Sequence, residues 1–368
     1  MASKVYFADL HADMNRNLLD KIGDLLDRVE LSKRIKPNGT VAIKLHFGER
    51  GNTAFVRPIF LRRIVDRVKE LGSRPFLTDT NTLYSGSRFE AVSHIITAVE
   101  NGFSFSVVGA PIIIADGLLG NASVRVPIKG KAFHEVSIAH EIYYADSLIG
   151  VAHFKGHELS GFGGAIKNIA MGCASREGKL NQHSNLGPKV KRKECVGCGT
   201  CIEWCGQGAI EMKNERAFID LNRCVGCGEC IVICPQGAIK IRWSRASQTF
   251  QRKMVEYAYG TLKNKGQRVV FLNFITQVSP YCDCYGHSDA PLIADVGILA
   301  SNDPVAIDQA SVDLVNAQPG SRASPYTNAM PSGSDKFRAV HKEVNWEVQL
   351  TYGEEMGLGN REYELIRI

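Results

Sequence analysis

The sequence predicts an α/β fold whose mostly parallel sheet core is interrupted by a small α+β insertion. Strand and helix patterns alternate over residues 1–187, eight closely spaced cysteines lie within residues 188–242, and the α/β pattern returns over residues 243–368. Alternating strands and helices favour a parallel sheet covered by helices. We therefore predict one α/β core, formed by the first and last of these ranges. Two independent α/β domains flanking the insertion are the alternative.

The periodicity of the apolar residues predicts the elements before the insertion. The predicted strands are Val5–Leu10, Thr40–Phe47, Arg74–Asp79, Ser104–Val108 and Ser147–His153. The predicted helices are Leu18–Leu31, Val56–Leu71 with Gly72 after its end, and Phe89–Glu100. These elements alternate, as a parallel sheet with helical crossovers requires.

Fewer elements are predicted after the insertion. They are a helix at Gln248–Asn264 and strands at Val269–Phe274 and Asp295–Ala300. Asp303 and Pro304 have the residue types preferred at the N-cap and first position of a helix. We interpret Asp303 as a helix cap.

The insertion contains an internal repeat with a period of 29 residues, in which Cys195–Cys205 corresponds to Cys224–Cys234. Each half has the spacing Cys-x2-Cys-x2-Cys-x3-Cys, which is typical of two-cluster bacterial ferredoxins, where the fourth cysteine ligates the other cluster. The repeat therefore predicts a dicluster ferredoxin-like unit with two [4Fe–4S] clusters. The predicted ligands are Cys195, Cys198, Cys201 and Cys234 for cluster one, and Cys224, Cys227, Cys230 and Cys205 for cluster two.

A pair of zinc sites is the alternative for these cysteines. Zinc sites usually combine Cys-x2-Cys pairs that are separated by a longer loop, and three cysteines at successive two-residue gaps fit that pattern poorly. Gly206 follows Cys205 where proline is usual, but proline is not a ligand. We therefore predict iron–sulfur clusters at these cysteines in preference to zinc.

The formal net charge of +6 is weak support for nucleic-acid binding. Each loaded cluster adds about two negative charges, so two clusters bring the chain close to neutrality. The basic run at 189–193 is short and lacks interleaved aromatic residues. No apolar run is long enough for a transmembrane helix, and no signal peptide is recognisable. We expect no nucleic-acid or membrane partner, and a cytoplasmic location in which thiols stay reduced.

Polar residues follow the predicted strands in four segments, which are 44–49, 78–88, 153–168 and 282–287. Ligands of open parallel sheets bind at the carboxyl ends of the strands, so we predict that these segments share one pocket. The candidate catalytic residues are His46, Asp79, Arg88, Lys155 and Lys167. The alternatives are solvated loops, and carboxylates that cap helices or are satisfied in the core.

Two further sites are hypotheses. The glycine-rich segment containing Gly161, Gly163 and Gly164 precedes a helix, where unpaired N–H groups suit a small anionic substrate. A tight turn is the alternative. An extra metal or cluster site is predicted from Cys173, Cys282, Cys284, His153 and His157, with inert thiols or a disulfide as the alternative.

Several of these segments resemble the uncharacterised iron–sulfur family catalogued as domain of unknown function 362. The matching segments are HFKGH at 153–157, GFGGAIKN at 161–168, CDC at 282–284 and SNDPVAID at 301–308. The resemblance covers nearly the whole chain, and many members carry an inserted two-cluster ferredoxin. It implies this architecture and no settled reaction. It also implies a distant similarity to the fold of the nickel-cofactor lactate racemase, none of whose cofactor motifs matches here.

Two functional hypotheses follow. In the first, low-potential electrons pass through the clusters to the polar pocket of a reductase (an oxidoreductase), or of a factor that matures a cofactor or metallocentre. In the second, the chain is a non-enzymatic electron carrier or assembly scaffold that docks a redox partner. A ferredoxin or flavodoxin is the expected partner in both cases, and complementary charge near residues 189–193 would speed the encounter.

Overall fold

The computed structural model describes residues 2–84, 86–183, 188–224, 226, 228–241 and 247–368. The strands of this part are β1 Ser3–Asp9, β2 Thr40–Lys44, β3 Arg74–Asp79, β4 Ile112–Ile114, β5 Ser123–Pro127, β6 Glu135–Ala139, β7 Ser147–His153, β8 Lys155–His157, β9 Gly161–Gly163, β10 Pro188–Val190, β11 Ile210–Lys213, β12 Arg216–Ile219, β13 Ile239–Ile241, β14 Val269–Ile275, β15 Gly297–Ser301 and β16 Tyr363–Arg367. The helices are α1 Leu18–Arg28, α2 Leu31–Arg34, α3 Pro58–Glu70, α4 Ala91–Glu100, α5 Phe105–Val108, α6 His140–Tyr144, α7 Ala165–Ala170, α8 Arg176–His183, α9 Thr200–Glu203, α10 Glu229–Ile233, α11 Ser247–Leu262, α12 Pro304–Asn316, α13 Lys336–Val340 and α14 Glu347–Glu355.

Eight of the described strands form one central sheet, in the order β16-β1-β15-β14-β7-β2-β3-β4. β15 is antiparallel to both of its neighbours, and the other seven strands run in one direction. The prediction of a mostly parallel α/β sheet is confirmed. Strands from both sides of the cysteine-rich insertion belong to this sheet, because β1–β4 and β7 precede the insertion and β14–β16 follow it.

Helices cover both faces of the sheet. On one face α1 and α3 bury residues such as Leu25 and Ile64. On the other face α7, α11 and α12 bury Ile169, Met254 and Ile307 among others. The central strands β7 and β14 are therefore buried along their whole length, as expected for strands covered on both sides. In the part of the chain that the structure describes, no helix is both long and apolar enough to cross a lipid bilayer.

Most element positions agree with the periodicity of the sequence. β3 and β7 have the predicted bounds, and the Asp303 side chain caps α12 by accepting from the N–H groups of Val305 and Ala306. The strand predicted at Ser104–Val108 is wrong. This segment is the short helix α5, because the backbone turns at Ser104 and Gly109 ends the helix with a φ of 74°. Its two adjacent valines are β-branched residues, which favour a strand. In so short a segment this preference does not determine the structure.

The insertion is built from two short strand pairs and two short helices. β10 pairs with β13 and β11 pairs with β12, both antiparallel. The chain therefore enters and leaves the insertion through two neighbouring strands, with Pro188 opposite Ile241. The boundaries at 187/188 and 242/243 stay a prediction, because residues 184–187 and 242–246 lie outside the described part of the chain.

Candidate functional site

A cavity of about 530 Å³ lies at the carboxyl ends of the parallel strands. β2, β3 and β7 end at Lys44, Asp79 and His153, and all three residues line it. The connections after these strands and after β14 contribute the other candidate residues His46, Arg88, Lys155, Lys167, Cys282 and Cys284. The cavity has the size of a typical small-molecule site. The structure thus places all five candidate catalytic residues around one space.

Asp79 lies at the centre of a buried ion-pair network. Its carboxylate is 3.1 Å from Lys44 Nζ and 3.4 Å from Arg88 Nη1, and none of these side chains is more than 4% exposed. Burial acts to raise the pKa of Asp79, but the charge of Lys44 and then of other surrounding groups holds that pKa below its ordinary value. The carboxylate is therefore charged, and two cations compensate it.

Arg88 joins this network to the neighbouring connections. Its Nε is 3.3 Å from the Glu49 carboxylate, and its Nη2 donates to the Tyr84 hydroxyl at 2.7 Å. The Tyr84 hydroxyl in turn donates to the carbonyl of Cys284 at 2.9 Å. The segments that follow β2, β3 and β14 are therefore fixed relative to one another by hydrogen bonds of buried groups.

A second buried carboxylate, Asp283, holds the end of β7. His153 Nδ1 is 2.8 Å from one of its oxygens and Lys155 Nζ is 3.1 Å from the other. His153 Nε2 contacts the carbonyl of Thr276 at 2.9 Å, so both ring nitrogens have partners within the protein. Sequence reasoning did not select Asp283 as a candidate, although its place between two cysteines after a strand was a usable signal.

Cys282 and Cys284 both line the wall of the cavity, and Lys167 Nζ donates to Cys282 Sγ at 3.4 Å. The neighbouring Cys284 side chain lowers the pKa of Cys282 well below its ordinary value, helped by Lys167 and His157 and opposed by burial. Although burial opposes it, the sulfur charge raises the pKa of Lys167. The pair therefore holds a thiolate on Cys282 beside an ammonium group.

His46 is a neutral group of this cavity. Burial, with a smaller contribution from the Arg88 charge, lowers the pKa of His46 to about 3. Its Nδ1 accepts from the N–H group of Gly48 at 3.0 Å, which places the proton of the neutral ring on Nε2. His46 is therefore a hydrogen-bond donor at the cavity.

The five residues predicted as an extra metal site are not brought together. Cys173 is buried in the apolar core, where burial raises its pKa to about 12, while His153 uses both ring nitrogens as described above. Within the described residues, no group of three or more His, Cys, Asp or Glu side chains is placed to hold one metal ion. The structure keeps Cys282, Cys284 and His157 close to one another.

The anion site expected at Gly161, Gly163 and Gly164 depends on unpaired N–H groups at the beginning of α7, and two of these groups already have a partner within the protein. The N–H groups of Ala165 and Ile166, which begin α7, donate to the two carboxylate oxygens of Asp308 at 2.7 and 2.9 Å. An internal carboxylate thus occupies the position predicted for an external anion. Burial raises the pKa of Asp308 to about 6. Asp308 lies on α12, and its distance along the chain hid this contact.

The thiols of the insertion surround two smaller cavities. Cys195, Cys198, Cys201 and Cys234 line the first, of about 20 Å³, whereas Cys205, Cys224 and Cys230 line the second, of about 210 Å³. Each cavity thus combines thiols from both halves of the repeat, in the crossed arrangement that the spacing predicts. Cys227, the remaining predicted ligand, lies outside the described residues.

Backbone geometry in the insertion repeats with the sequence. Gly199 and its equivalent Gly228 have φ angles of 82° and 76°, in the left-handed region that glycine adopts freely. The N–H groups of Ala209 and Ala238 donate to Cys205 Sγ and Cys234 Sγ, both at 3.2 Å. Such bonds orient sulfur ligands and tune a bound metal centre. The chemistry of the donors fits the predicted clusters.

The second thiol cavity adjoins the polar cavity. Leu83 lines the polar cavity and also belongs to the apolar cluster around Cys201 and Cys230. Leu83 and Arg176 both pack against Gly228, in the loop between Cys224 and Cys230. Arg176 is 1% exposed and stacks on Phe89, with the centre of its guanidinium group 5.0 Å from the ring centroid. Leu83 thus contacts both the insertion and the larger cavity.

These features define an α/β protein with a polar cavity at the carboxyl edge of its sheet and a cysteine-rich insertion beside that cavity. The match of residues 41–313 shows that the chain belongs to the family described as "Domain of unknown function (DUF362)". No curated protein is matched significantly by the chain.

Two solved structures are similar to the chain. The lactate racemase apoprotein from Thermoanaerobacterium thermosaccharolyticum has 11% identity and a TM-score of 0.37, covering 83% of this chain and 57% of that protein. A structural-genomics crystal structure of a protein from Thermotoga maritima has 8% identity and a TM-score of 0.39, covering 94% of this chain and 60% of that protein. The chain therefore spans less than two thirds of the length of either protein.

Proposed function

We propose that this chain is an iron–sulfur reductase that carries electrons through two [4Fe–4S] clusters to the polar cavity. The observation that carries the proposal is the contact between the second thiol cavity and the wall of the polar cavity at Leu83. An electron-transfer module placed directly against a cavity of small-molecule size serves a reaction in that cavity.

The arrangement of the thiols favours clusters over zinc. Each cavity of the insertion combines cysteines from both halves of the repeat, as in two-cluster ferredoxins. A zinc ion draws four ligands to about 2.3 Å from one point. A cubane instead needs sulfurs spread around a cage.

The two proposed cluster sites differ in exposure, which supports a direction of electron flow. Cys198 is exposed at the first site, close to the exposed basic residues Lys191, Arg192 and Lys193. Each site has one buried thiol, Cys201 or Cys230, but none of the described cysteines of the second site is exposed, and Gly228 of that site packs against Arg176 and Leu83. Electrons therefore enter at the first cluster from a carrier with an acidic surface, such as a ferredoxin or flavodoxin, and leave from the second.

The polar cavity is suited to bind and polarise a small anionic substrate. Lys155 and Lys167 reach into it from one side, and Lys44 and Arg88 are held on the other side by Asp79. Their positions are fixed by buried partners before any ligand arrives, so little reorganisation is needed on binding. An enclosed location suits a reaction centre better than a recognition surface for a scaffold.

The test is the composition and redox behaviour of protein purified without oxygen. We expect about eight irons and a similar number of sulfides per chain, brown colour, and paramagnetic signals after reduction with dithionite. Colourless protein that contains zinc would contradict the proposal. Iron well above eight per chain would instead reveal a further cluster.

A further inference from the structure

We propose that Cys282 and Cys284 form a redox-active dithiol, which takes electrons from the clusters and reduces a small disulfide in the polar cavity. This inference rests on the function proposed above and names its terminal group and substrate class. It is carried by the placement of two thiols that are two residues apart, one lysine and one histidine in the wall of one cavity, with Lys167 Nζ 3.4 Å from Cys282 Sγ.

Cys282 has the surroundings of an attacking thiolate. Lys167 Nζ lies 3.4 Å from its sulfur, and the ammonium charge stabilises the thiolate form. His157 Nδ1 accepts from the N–H groups of Leu159 and Ser160, both at 3.2 Å, so a ring proton lies on Nε2, and this ring lines the same cavity as Cys282. The thiolate therefore receives a hydrogen bond from Lys167 without leaving the cavity wall.

Cys284 is placed as the resolving thiol. It lines the same cavity as Cys282, and the two residues are separated by Asp283 alone. This turn is held at three points, because Asp283 pairs with His153 and Lys155, Tyr84 donates to the Cys284 carbonyl at 2.9 Å, and the N–H group of Tyr285 donates to the Cys282 carbonyl at 3.1 Å. Both sulfurs thus stay next to each other and next to the cavity.

The reaction balances with groups that the proposal names. The Cys282 thiolate attacks one sulfur of the substrate disulfide, so a Cys282–substrate bond forms, the substrate S–S bond breaks, and the first thiol leaves. Cys284 then loses its proton and attacks Cys282, which releases the second thiol and leaves a Cys282–Cys284 disulfide. Regeneration of the pair needs two electrons and protons, and two reduced [4Fe–4S] clusters held by the insertion would supply one electron each, with the protons coming from the cavity and solvent. In the net reaction, one substrate disulfide takes up two electrons and two protons and becomes two thiols.

The size and position of the cavity limit the substrate to a small disulfide. A volume of about 530 Å³ fits a small molecule and excludes a folded protein. Leu83 lines the same cavity and packs in the apolar cluster that contains Cys230, which places the second proposed cluster site against the cavity that the thiol pair lines. The lysines of the cavity favour a disulfide that carries carboxylate groups.

The test follows cluster colour in intact, anaerobically purified protein. The clusters are first reduced with dithionite, which bleaches their colour, and the excess reductant is removed. Bis(2-hydroxyethyl) disulfide, or a disulfide that carries two carboxylate groups, is then added. We expect the brown colour to return, and to return at least a hundredfold more slowly in Cys282→Ser. In Cys284→Ser, we expect a mixed disulfide to accumulate on Cys282, visible as added mass on the peptide that contains it. Cys173→Ala, which alters a buried thiol outside the cavity, is the matched control.

Each outcome separates the two proposals. Protein without clusters, or with clusters that dithionite does not reduce, contradicts the proposed function. Reducible clusters that neither disulfide reoxidises, or that disulfides reoxidise equally fast in Cys282→Ser, overturn the dithiol inference and leave the proposed function standing. Stoichiometric binding of copper or zinc by Cys282 and Cys284, with no disulfide turnover, would also overturn it.

Discussion

The insertion and the polar cavity handle buried polar groups in opposite ways. In the cavity, charged side chains are paired with one another, as Asp79 is with Lys44 and Arg88. In the insertion, cysteines from the two halves of the repeat surround two cavities and receive few bonds from the protein, such as those from Ala209 and Ala238. The first region is thus preorganised by the protein itself, whereas the thiols of the second are proposed to be ligands for an external group.

The largest expected effect tests the insertion. Cys230→Ser removes one proposed ligand of the second cluster, and we expect the iron content to fall from about eight to about four per chain. The α/β core should keep its helical and strand content in circular dichroism, because it does not depend on this thiol. Cys173→Ala is the control and should retain all the iron. Full retention of iron in Cys230→Ser would contradict the ligand assignment.

The next effect tests the preorganised cavity. Asp79→Asn leaves Lys44 and Arg88 buried without their shared carboxylate, and loss of one partner of a buried ion pair typically costs about 3–5 kcal/mol. We expect a large decrease in the thermal unfolding midpoint. The control is Glu100→Gln, which removes an exposed pair with Arg50 and should cost less than about 1 kcal/mol. Equal effects of the two substitutions would show that the cavity network is not stabilising.

The pH dependence of stability provides a smaller test of the same network. Burial lowers the pKa of His46 to about 3, so between about pH 3 and pH 6.5 the unfolded chain binds a proton that the folded chain does not. Stability is therefore fully present above pH 6.5 and is lost as the pH falls. We expect His46→Gln to weaken the decrease of the thermal midpoint between pH 7 and pH 5. An unchanged pH dependence would contradict a neutral His46.

The smallest effect distinguishes the two halves of the repeat. Gly199→Ala and Gly228→Ala each place an alanine in the left-handed region, at a cost of about 1–2 kcal/mol. A Cβ at Gly228 also meets Arg176 Cγ at 3.2 Å, whereas at Gly199 nothing lies within 4 Å. Gly228→Ala should therefore lower the thermal midpoint more than Gly199→Ala. The reverse order would show that the second half does not pack on the core as described.

Sequence periodicity predicted the fold because each sheet strand is a local pattern. Arg74–Asp79 and Ser147–His153 are strands with the expected bounds, and the polar residues that follow them line one cavity. Ser104–Val108 failed because four or five residues are too few to distinguish a helical turn from a strand.

Sequence periodicity could not predict contacts between segments that are distant along the chain. Asp308 binds the beginning of α7 from more than 140 residues away, and nothing near Gly164 indicates that its helix is already capped. Lys44 and Asp283 lie within segments selected as polar, yet only the fold reveals that each is half of a buried ion pair. Thiol spacing, by contrast, is local, which is why the crossed arrangement around the two insertion cavities was predictable.

The pairing of β10 with β13 has a consequence for how this architecture can be edited. Pro188 and Ile241 face each other across an antiparallel pair, so their Cα atoms are separated by about 5 Å. A tight turn of two to five residues typically bridges such a gap. The insertion is therefore an excisable cassette. The eight-stranded sheet loses no strand when it is removed, and a different small unit can be joined at the same two positions.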